Sequence, residues 1–365
     1  MKNIILFGGA FDPIHLGHLN MAREASNMLN AEVIFIPAKI SVWKSESLAS
    51  VEDKIEMIKL AIKDADMEEY CSISRYEADS PNESTYSIDT VKHFKEIYKD
   101  SKLFLLIGQD QVFSFHKWKD AKELSKLAQI VFFGRLNEEF NEKNVEEYNM
   151  MKISGEINDI SSTNIRSLKS LETTDSVIDY IIDHDLYFMN KIKSMMSADR
   201  YIHSKSVAKL AYEIAKANSV EEPKKALIAG LIHDCAKELD KKTELRIMKE
   251  YYPEFLYLPQ IIYHQFTGEY LAKTEFKIDD VVVLEAIKYH TTANSNMSDI
   301  AKIIYCTDKV EPTRGFDSKS LINSMKCSLT QGFKDVMTSN IEYYDRHGIN
   351  YKNPLTVACL KQYYY

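Results

Sequence analysis

GGAFDPIHLGH, Gly8 to His18, follows the short apolar run Ile4 to Phe7 and leads into Leu19, Ala22, Ala25 and Leu29 at helical spacing. The stretch therefore reads as a turn between a buried strand and a helix. Gly8 and Gly9 remove the side chains that would keep an anion from the backbone, and Pro13 stiffens the loop while giving up a donor. The helix that follows aims unpaired N-H groups and a partial positive charge at the turn, which makes it a phosphate site. His15 and His18, three apart at the mouth of that helix, can both face one anion. Neither G-x-G-x-x-G nor G-x-x-x-x-G-K-[ST] fits, so the turn is neither a hydride-transfer dinucleotide loop nor a P-loop.

Outward from the turn, apolar runs at 4 to 7, 33 to 36, 71 to 76, 103 to 107 and 130 to 133 alternate with helical periodicity at 18 to 30, 52 to 63 and 86 to 98. That order predicts a parallel sheet covered on both faces, a Rossmann-like α/β domain. Ligands bind beyond the carboxyl ends of such strands, where this chain carries Gly8, Pro37, Gly108 with Asp110, and Gly134 with Arg135. ISSTNIR at 160 to 166 places Ser162, Thr163 and Arg166 at a helix start, a second set of phosphate donors.

The turn resembles the H-x-G-H signature of the nucleotidyltransferases, and with ISSTNIR it is similar to the nicotinate mononucleotide adenylyltransferases. TYSIDT at 85 to 90, IGQD at 107 to 110, Trp118, Arg135 and the closing DSVIDYIIDHDLYF stand in family-like order over about the first 188 residues. The resemblance implies that the chain joins ATP and nicotinate mononucleotide into nicotinate adenine dinucleotide and pyrophosphate. It implies that Trp118 stacks the pyridine ring beside Thr85, that Gly108 and Asp110 hold ribose, and that Lys44 reaches the mononucleotide phosphate. Gly8, Gly9, Phe11, Arg135, Ser162 and Thr163 complete the expected binding set. The loop reads KISVWK where the family usually has a proline pair and a histidine before that lysine. The phosphopantetheine adenylyltransferases share ISST-x-[IV]R but carry threonine at the first histidine, so His15 speaks against them. No nucleophile with an adjacent base is present in these motifs. The expected chemistry is direct attack of the mononucleotide phosphate on the α-phosphorus of ATP, with His15, His18 and Arg166 donating to oxygens that gain charge and Mg²⁺ accompanying the pyrophosphate.

At 365 residues, a domain size of about 150 predicts two domains. The boundary falls near 188, giving 1-188 and 189-365, with no Gly/Pro/Ser-rich linker and a helix-like stretch over 175 to 198. The acidic stretch 138 to 147 reads as a surface loop. Beyond 188 the periodicity is nearly all helical, as in Val207, Leu210, Ala211 and Ile214, and predicts an all-α bundle. Polar residues interrupt its apolar stripes: His203, the pair His233 and Asp234, His264, His290 and Asp308. Four histidines and two carboxylates on separate helical segments are hard to bury without a cation, and they suit Fe, Mn or Zn.

The H…HD…H…H…D order resembles the HD-domain phosphohydrolases. HTT at 290 to 292 and TDKVEPTR at 307 to 314 are similar to the branch that splits diadenosine tetraphosphate symmetrically into two ADP. The resemblance implies a metal on His203, His233, Asp234 and Asp308 and another on Asp234, His264 and His290, with Fe expected before Mn. Lys237 and Arg200 would neutralise substrate phosphates. A mononucleotide or alarmone phosphatase, or a non-catalytic dimerising module, remains an alternative for this half.

The net charge of -8 gives no basic footprint for nucleic acid or an anionic membrane. No apolar run approaches the roughly 18 residues of a membrane helix. The five cysteines, Cys71, Cys235, Cys306, Cys327 and Cys359, form no C-x-x-C pair. Cys235 and Cys306 lie beside expected ligands but are expected to pack, not coordinate. The sequence predicts a soluble cytoplasmic protein acting on small nucleotides, and it leaves room for a homo-oligomer.

Overall fold

The computed structural model describes residues 2–39, 48–81, 85–134, 141–153 and 160–363. The chain divides into two compact units, Met1–Tyr187 and Phe188–Tyr365. In the first unit the elements run β1 (Asn3–Gly9), α1 (Leu16–Leu29), β2 (Glu32–Pro37), α2 (Val51–Asp64), β3 (Cys71–Ile73), α3 (Ser87–Ile97) and β4 (Lys102–Gly108). There follow α4 (Gln109–Ser114), α5 (Ala121–Leu127), β5 (Gln129–Phe133), α6 (Glu142–Glu147), β6 (Met151–Ile153), α7 (Ser162–Arg166) and α8 (Asp175–Asp183).

The six strands form one parallel sheet in the order β3-β2-β1-β4-β5-β6. Ile4, Leu6, Ile34, Ile36, Leu105, Ile107, Ile130 and Phe132 share one core face with Ile88, Val91 and Phe94 of α3. The alternate residues Ile5, Phe7, Val33 and Phe35 are buried as well, so both faces are covered. That is why the strands read as unbroken apolar runs. Strand order reverses between β1 and β4, and the crevice beyond their carboxyl ends is where a doubly wound sheet takes its ligand. Gly8 and Gly9 end one of these strands and Gly108 ends the other.

Three expectations need correction, and one strand escaped the sequence reading. The third strand stops at Ile73, not at 76, after Ser74 N-H donates to Phe35 O and the chain turns away. The three-residue β6 went unread because Met151 and Lys152 are exposed and only Ile153 is buried. Within the acidic stretch, 142 to 147 is helix: the Asn141 side chain accepts from Asn144 N-H, and Asn144 is buried, donating to Val112 O. The stretch 175 to 198 is not one helix but breaks after Asp183, with Asp185 and Tyr187 at positive φ.

The second unit is helical: α9 (Phe188–Ser194), α10 (Ala198–Ala217), α11 (Lys224–Ile232), α12 (Lys241–Tyr251), α13 (His264–Thr274), α14 (Val281–Tyr289), α15 (Asp299–Val310), α16 (Lys319–Cys327), α17 (Leu329–His347) and α18 (Pro354–Tyr363). Residues 226 to 232 of α11 are all buried, marking it as the central helix of the bundle. Gly230 lets α10 come close, since a Cβ there would stand 2.6 Å from the Ala208 Cα. No described helix is long and apolar enough to cross a membrane.

Candidate functional site

At the end of β1 the chain passes through Phe11, at φ 44°, into the H-x-G-H turn. Phe11 is buried, its ring edge-on to Phe7 and His18, and a Cβ on Gly9 would stand 2.9 Å from that ring. Gly8 is exposed and a Cβ there would meet open space. His15 is the N-cap of α1, and its N-H donates to His18 Nδ1 at 3.3 Å. The two imidazoles stack with centroids 3.6 Å apart. The histidines thus cap the helix and also stand side by side at its positive end.

The second motif comes to the same place. Arg166 Nη1 donates to Asp12 O at 2.6 Å, Ser162 Oγ to Pro13 O at 2.9 Å, and Thr173 Oγ1 to Ile14 O at 2.8 Å. Ser162 therefore spends its hydroxyl hydrogen tying α7 to the turn, and Thr163 Oγ1 accepts from Arg166 Nη2 at 3.0 Å. Ser161 is the residue that caps α7, accepting from Asn164 N-H.

Across the crevice Gly108 is the N-cap of α4 and Asp110 lies in its first turn, bonded to Gln111 Nε2. A Cβ on Gly108 would strike the Asp110 carboxylate at 2.6 Å. Trp118 is half-buried, 5.1 Å from Phe115 between ring centroids. Trp118 Nε1 and Thr85 Oγ1 are buried polar atoms with no hydrogen-bond partner among the described residues. Such atoms are costly unless a ligand reaches them. Lys44 and Arg135 lie outside the described residues. Sequence reading missed Asp12, Lys54 and Tyr187, all buried beside the turn.

In the second unit the expected ligands gather at helix ends. His233 follows α11, His264 opens α13 and His290 follows α14. Each Nδ1 lies against the carbonyl three residues upstream: Gly230 at 2.8 Å, Ile261 at 3.0 Å and Ile287 at 2.7 Å. A carbonyl only accepts, so each Nδ1 carries the proton and each Nε2 turns a lone pair inward. The same local geometry, used three times, turns three nitrogens toward the Asp234 and Asp308 carboxylates.

There, His290 Nε2 and His264 Nε2 lie 3.3 and 3.5 Å from Asp234 Oδ1, and 3.2 Å from each other. His233 Nε2 lies 3.8 Å from Asp234 Oδ2 and 3.7 Å from Asp308 Oδ1, with no hydrogen-bond partner among the described residues. A buried lone pair facing two carboxylates, and two imidazole lone pairs facing each other, are repulsive unless a cation stands between them. Donor atoms of three groups fall within 4.8 Å of one another: His203, His233 and Asp234; Asp234, His264 and His290; and His233, His290 and Asp308. Imidazole and carboxylate together suit an intermediate divalent ion.

Charges around the cluster are compensated. Burial opposes the Asp308 charge, yet Lys309 beside it holds that carboxyl well below the usual range. Arg200 pairs with Asp234 and with Glu238, and Arg314 with Asp308 at 2.6 Å. Burial pushes the His264 and His290 pKa values down, which keeps them neutral as ligands must be. Lys237, also pushed down by burial, donates to His264 Nε2 at 2.8 Å. For His203 burial is outweighed by hydrogen bonds to Asp308 (3.1 Å) and Glu311 (2.8 Å), which raise it to about 9. Glu311, Lys309 and Arg314, within the TDKVEPTR motif, carry contacts that residue-by-residue reading did not assign. Cys235 packs against Gly268 O, and burial pushes its thiol up to about 12 and that of Cys306 up as well. Neither suits a thiolate ligand.

Residues 6–168 match the Cytidylyltransferase-like family, and residues 200–313 match the HD domain. The protein named "Probable nicotinate-nucleotide adenylyltransferase/Ap4A hydrolase" from Mycoplasma genitalium is 32% identical over 348 residues, covering 91% of this chain and 96% of its own. The chain belongs to that family of two-domain fusions. A "Probable nicotinate-nucleotide adenylyltransferase" from Aquifex aeolicus is 42% identical over 132 residues, 36% of this chain and 76% of its own. On the hydrolase side, a solved structure described as a "predicted HD superfamily hydrolase involved in NAD metabolism" from Clostridium acetobutylicum is 32% identical. It covers 50% of this chain and 93% of its own, with a TM-score of 0.41. Both halves of the fusion are thus present, each with its own cluster of candidate site residues.

Proposed function

We infer that the chain is a bifunctional enzyme of pyridine nucleotide metabolism. Its first unit transfers the adenylyl group of ATP to nicotinate mononucleotide, and its second hydrolyses diadenosine tetraphosphate to two ADP. The observation that carries the first assignment is the bond between Arg166 and Asp12, which brings motifs 154 positions apart to one end of the sheet.

In the transfer, an oxygen of the mononucleotide phosphate attacks the α-phosphorus of ATP while the bond to pyrophosphate breaks. His15, His18 and Arg166 bear on the oxygens that gain charge, and Mg²⁺ accompanies the pyrophosphate. Trp118, with Thr85 beside it, supports the pyridine ring, while Gly108 and Asp110 receive ribose. The indole N-H and the Thr85 hydroxyl, both buried and without a partner among the described residues, are suited to polar atoms of that ligand.

In the second unit His203, His233, Asp234 and Asp308 would hold one divalent ion and Asp234, His264 and His290 the other, Fe being favoured over Mn. Such a pair, when bound, would activate water as the nucleophile and offset charge on the reacting oxygens. Glu311 and the upstream carbonyls hold the imidazoles in orientation. Arg200 and Arg314 pair with the carboxylates and Lys237 with His264, where phosphate oxygens can exchange for these partners.

Purified chain given ATP, nicotinate mononucleotide and Mg²⁺ should form nicotinate adenine dinucleotide and pyrophosphate in equal amounts. Given diadenosine tetraphosphate and Fe²⁺ or Mn²⁺, it should form ADP alone. ATP with AMP as hydrolysis products would overturn the symmetrical cleavage, and no dinucleotide from the first mixture would overturn the transferase.

A further inference from the structure

Two charged side chains of the first unit are buried deeply enough to need an explanation. Lys54, on the second turn of α2, is 1% exposed and Asp12, inside the H-x-G-H turn, is 7% exposed. Lysine and aspartate are almost never so buried without partners. Here the partners are largely backbone. Lys54 Nζ donates to Ala38 O at 2.6 Å and Lys39 O at 3.2 Å, the residues immediately after β2. Asp12 accepts from Leu48 N-H at 3.1 Å and Ala49 N-H at 3.3 Å, immediately before α2, and from the Tyr187 hydroxyl at 2.8 Å.

Both sets of contacts lead back to the phosphate turn. Ala38 N-H donates to Gly9 O at 2.9 Å, and the carbonyl of Asp12 receives Arg166. Asp12 thus touches the base of α2 with its carboxylate and the ISSTNIR arginine with its main chain. Lys54 closes the other side, holding the carbonyls next to the point where β2 meets Gly9. Burial lowers the Lys54 pKa, and the charge of Asp12 pulls it back up. Both side chains direct their hydrogen bonds at main chain, Lys54 at the carbonyls after β2 and Asp12 at the N-H groups before α2.

Resting on the adenylyltransferase reading, we propose that Asp12 and Lys54 are positioning residues for adenylyl transfer, fixing the H-x-G-H turn and Arg166 in register with the chain on either side of residues 40–47. Buried charged side chains that served only stability could be replaced by apolar residues with little loss. This pair differs because its bonds end on the backbone that carries the phosphate-binding groups. A displacement of about 1 Å at such groups costs on the order of 10²-fold in rate.

The test uses the full chain with Asp12→Asn, Lys54→Met, Lys54→Arg and Tyr187→Phe. Asp12→Asn turns an acceptor facing three donors into an amide that must clash with one of them, and kcat for dinucleotide formation should fall about 10²-fold while KM for ATP stays within about threefold. Lys54→Met should do the same, and Lys54→Arg should recover most of the loss because a guanidinium can donate to the same carbonyls. Tyr187→Phe removes one bond from Asp12 without touching the turn. It should lower kcat about tenfold with KM unchanged, which keeps the proposal exposed to refutation if Asp12→Asn does not fold. Melting temperature and hydrolysis of diadenosine tetraphosphate are read on each preparation. Folded variants with kcat within threefold of wild type, or a Lys54→Arg no better than Lys54→Met, overturn the proposal. A wild-type chain that transfers no adenylyl group refutes the underlying reading and this inference with it; an active wild type with unaltered variants refutes this inference alone.

Discussion

Replacing Asp234 by Asn removes one negative charge from the centre of the histidine cluster without changing the volume of the side chain. Asp234 belongs to two of the three ligand groups that the structure brings together, the third being His233, His290 and Asp308. Metal content should therefore fall from two ions per chain to at most one. An ion present at 1,000 times its dissociation constant stabilises the folded state by about 4 kcal/mol. For a unit of this size each kcal/mol shifts the melting temperature by about 2 to 4 °C, so the second unit should melt roughly 8 to 16 °C lower per ion lost at that saturation. Atomic emission on dialysed protein gives the ion count, and calorimetry with and without a chelator gives the shift. Hydrolysis of diadenosine tetraphosphate should vanish in the same sample. Two ions per chain retained by the variant, with a chelator-sensitive melting temperature equal to wild type, would refute the ligand assignment.

His18→Ala should lower kcat for adenylyl transfer by about 10² to 10³-fold while the chain still folds, since one preorganised donor to a developing oxyanion is worth that much; turnover near wild type would remove His18 from the mechanism. Glu77, half-buried against α3 with Thr90 donating to it at 2.7 Å, has its pKa raised by burial from 4.5 to about 7. The fold favours its protonated form, so that stability is fully present below about 4.5 and is lost as pH rises through about 7. After allowance for exposure this amounts to about 1 to 2 kcal/mol, and urea unfolding at pH 5 and pH 8 should show a fall of that size in wild type that Glu77→Gln lacks.

Residues buried on both faces made the sheet legible: β1, β2, β4 and β5 are runs of Ile, Leu, Val and Phe with nowhere to alternate. The short edge strand β6 presents two exposed residues of three and gave no such signal. The clustered histidines and aspartates of the second unit stood out because imidazole and carboxylate interrupt apolar stripes, each a local anomaly in the sequence. Glu311 carried no anomaly of its own, since it follows α15 as an ordinary acidic residue, and only folding brings it 2.8 Å from His203. Asp12 and Lys54 escaped for the same reason: an aspartate before proline reads as a turn residue, and a lysine in a helix reads as its solvated face. The break at Asp185 was hidden by good helix formers on both sides, and it is Tyr187, at positive φ, that reaches back to Asp12.

The two activities leave a chemical question, because the first unit makes a dinucleotide and the second cuts one. By the function proposed above, each unit has its own phosphate-handling groups: the turn, Arg166 and α1 in one, and the cluster with Arg200, Lys237 and Arg314 in the other. Discrimination must then come from the bridge between the nucleosides. The donor atoms of the second unit fall within 4.8 Å of one another inside each group, and two of the groups share Asp234, so these residues would hold two divalent ions side by side. A phosphate held by both needs further phosphates on either side if an ADP is to leave each way, and a tetraphosphate bridge supplies them. The diphosphate of nicotinate adenine dinucleotide is too short, since engaging either phosphorus forces a nucleoside against the charged cluster. Incubation of each compound with the metal-loaded chain, followed by chromatography, should show ADP from diadenosine tetraphosphate and little change in the dinucleotide. Appearance of AMP and nicotinate mononucleotide at a comparable rate would show that bridge length does not decide the substrate.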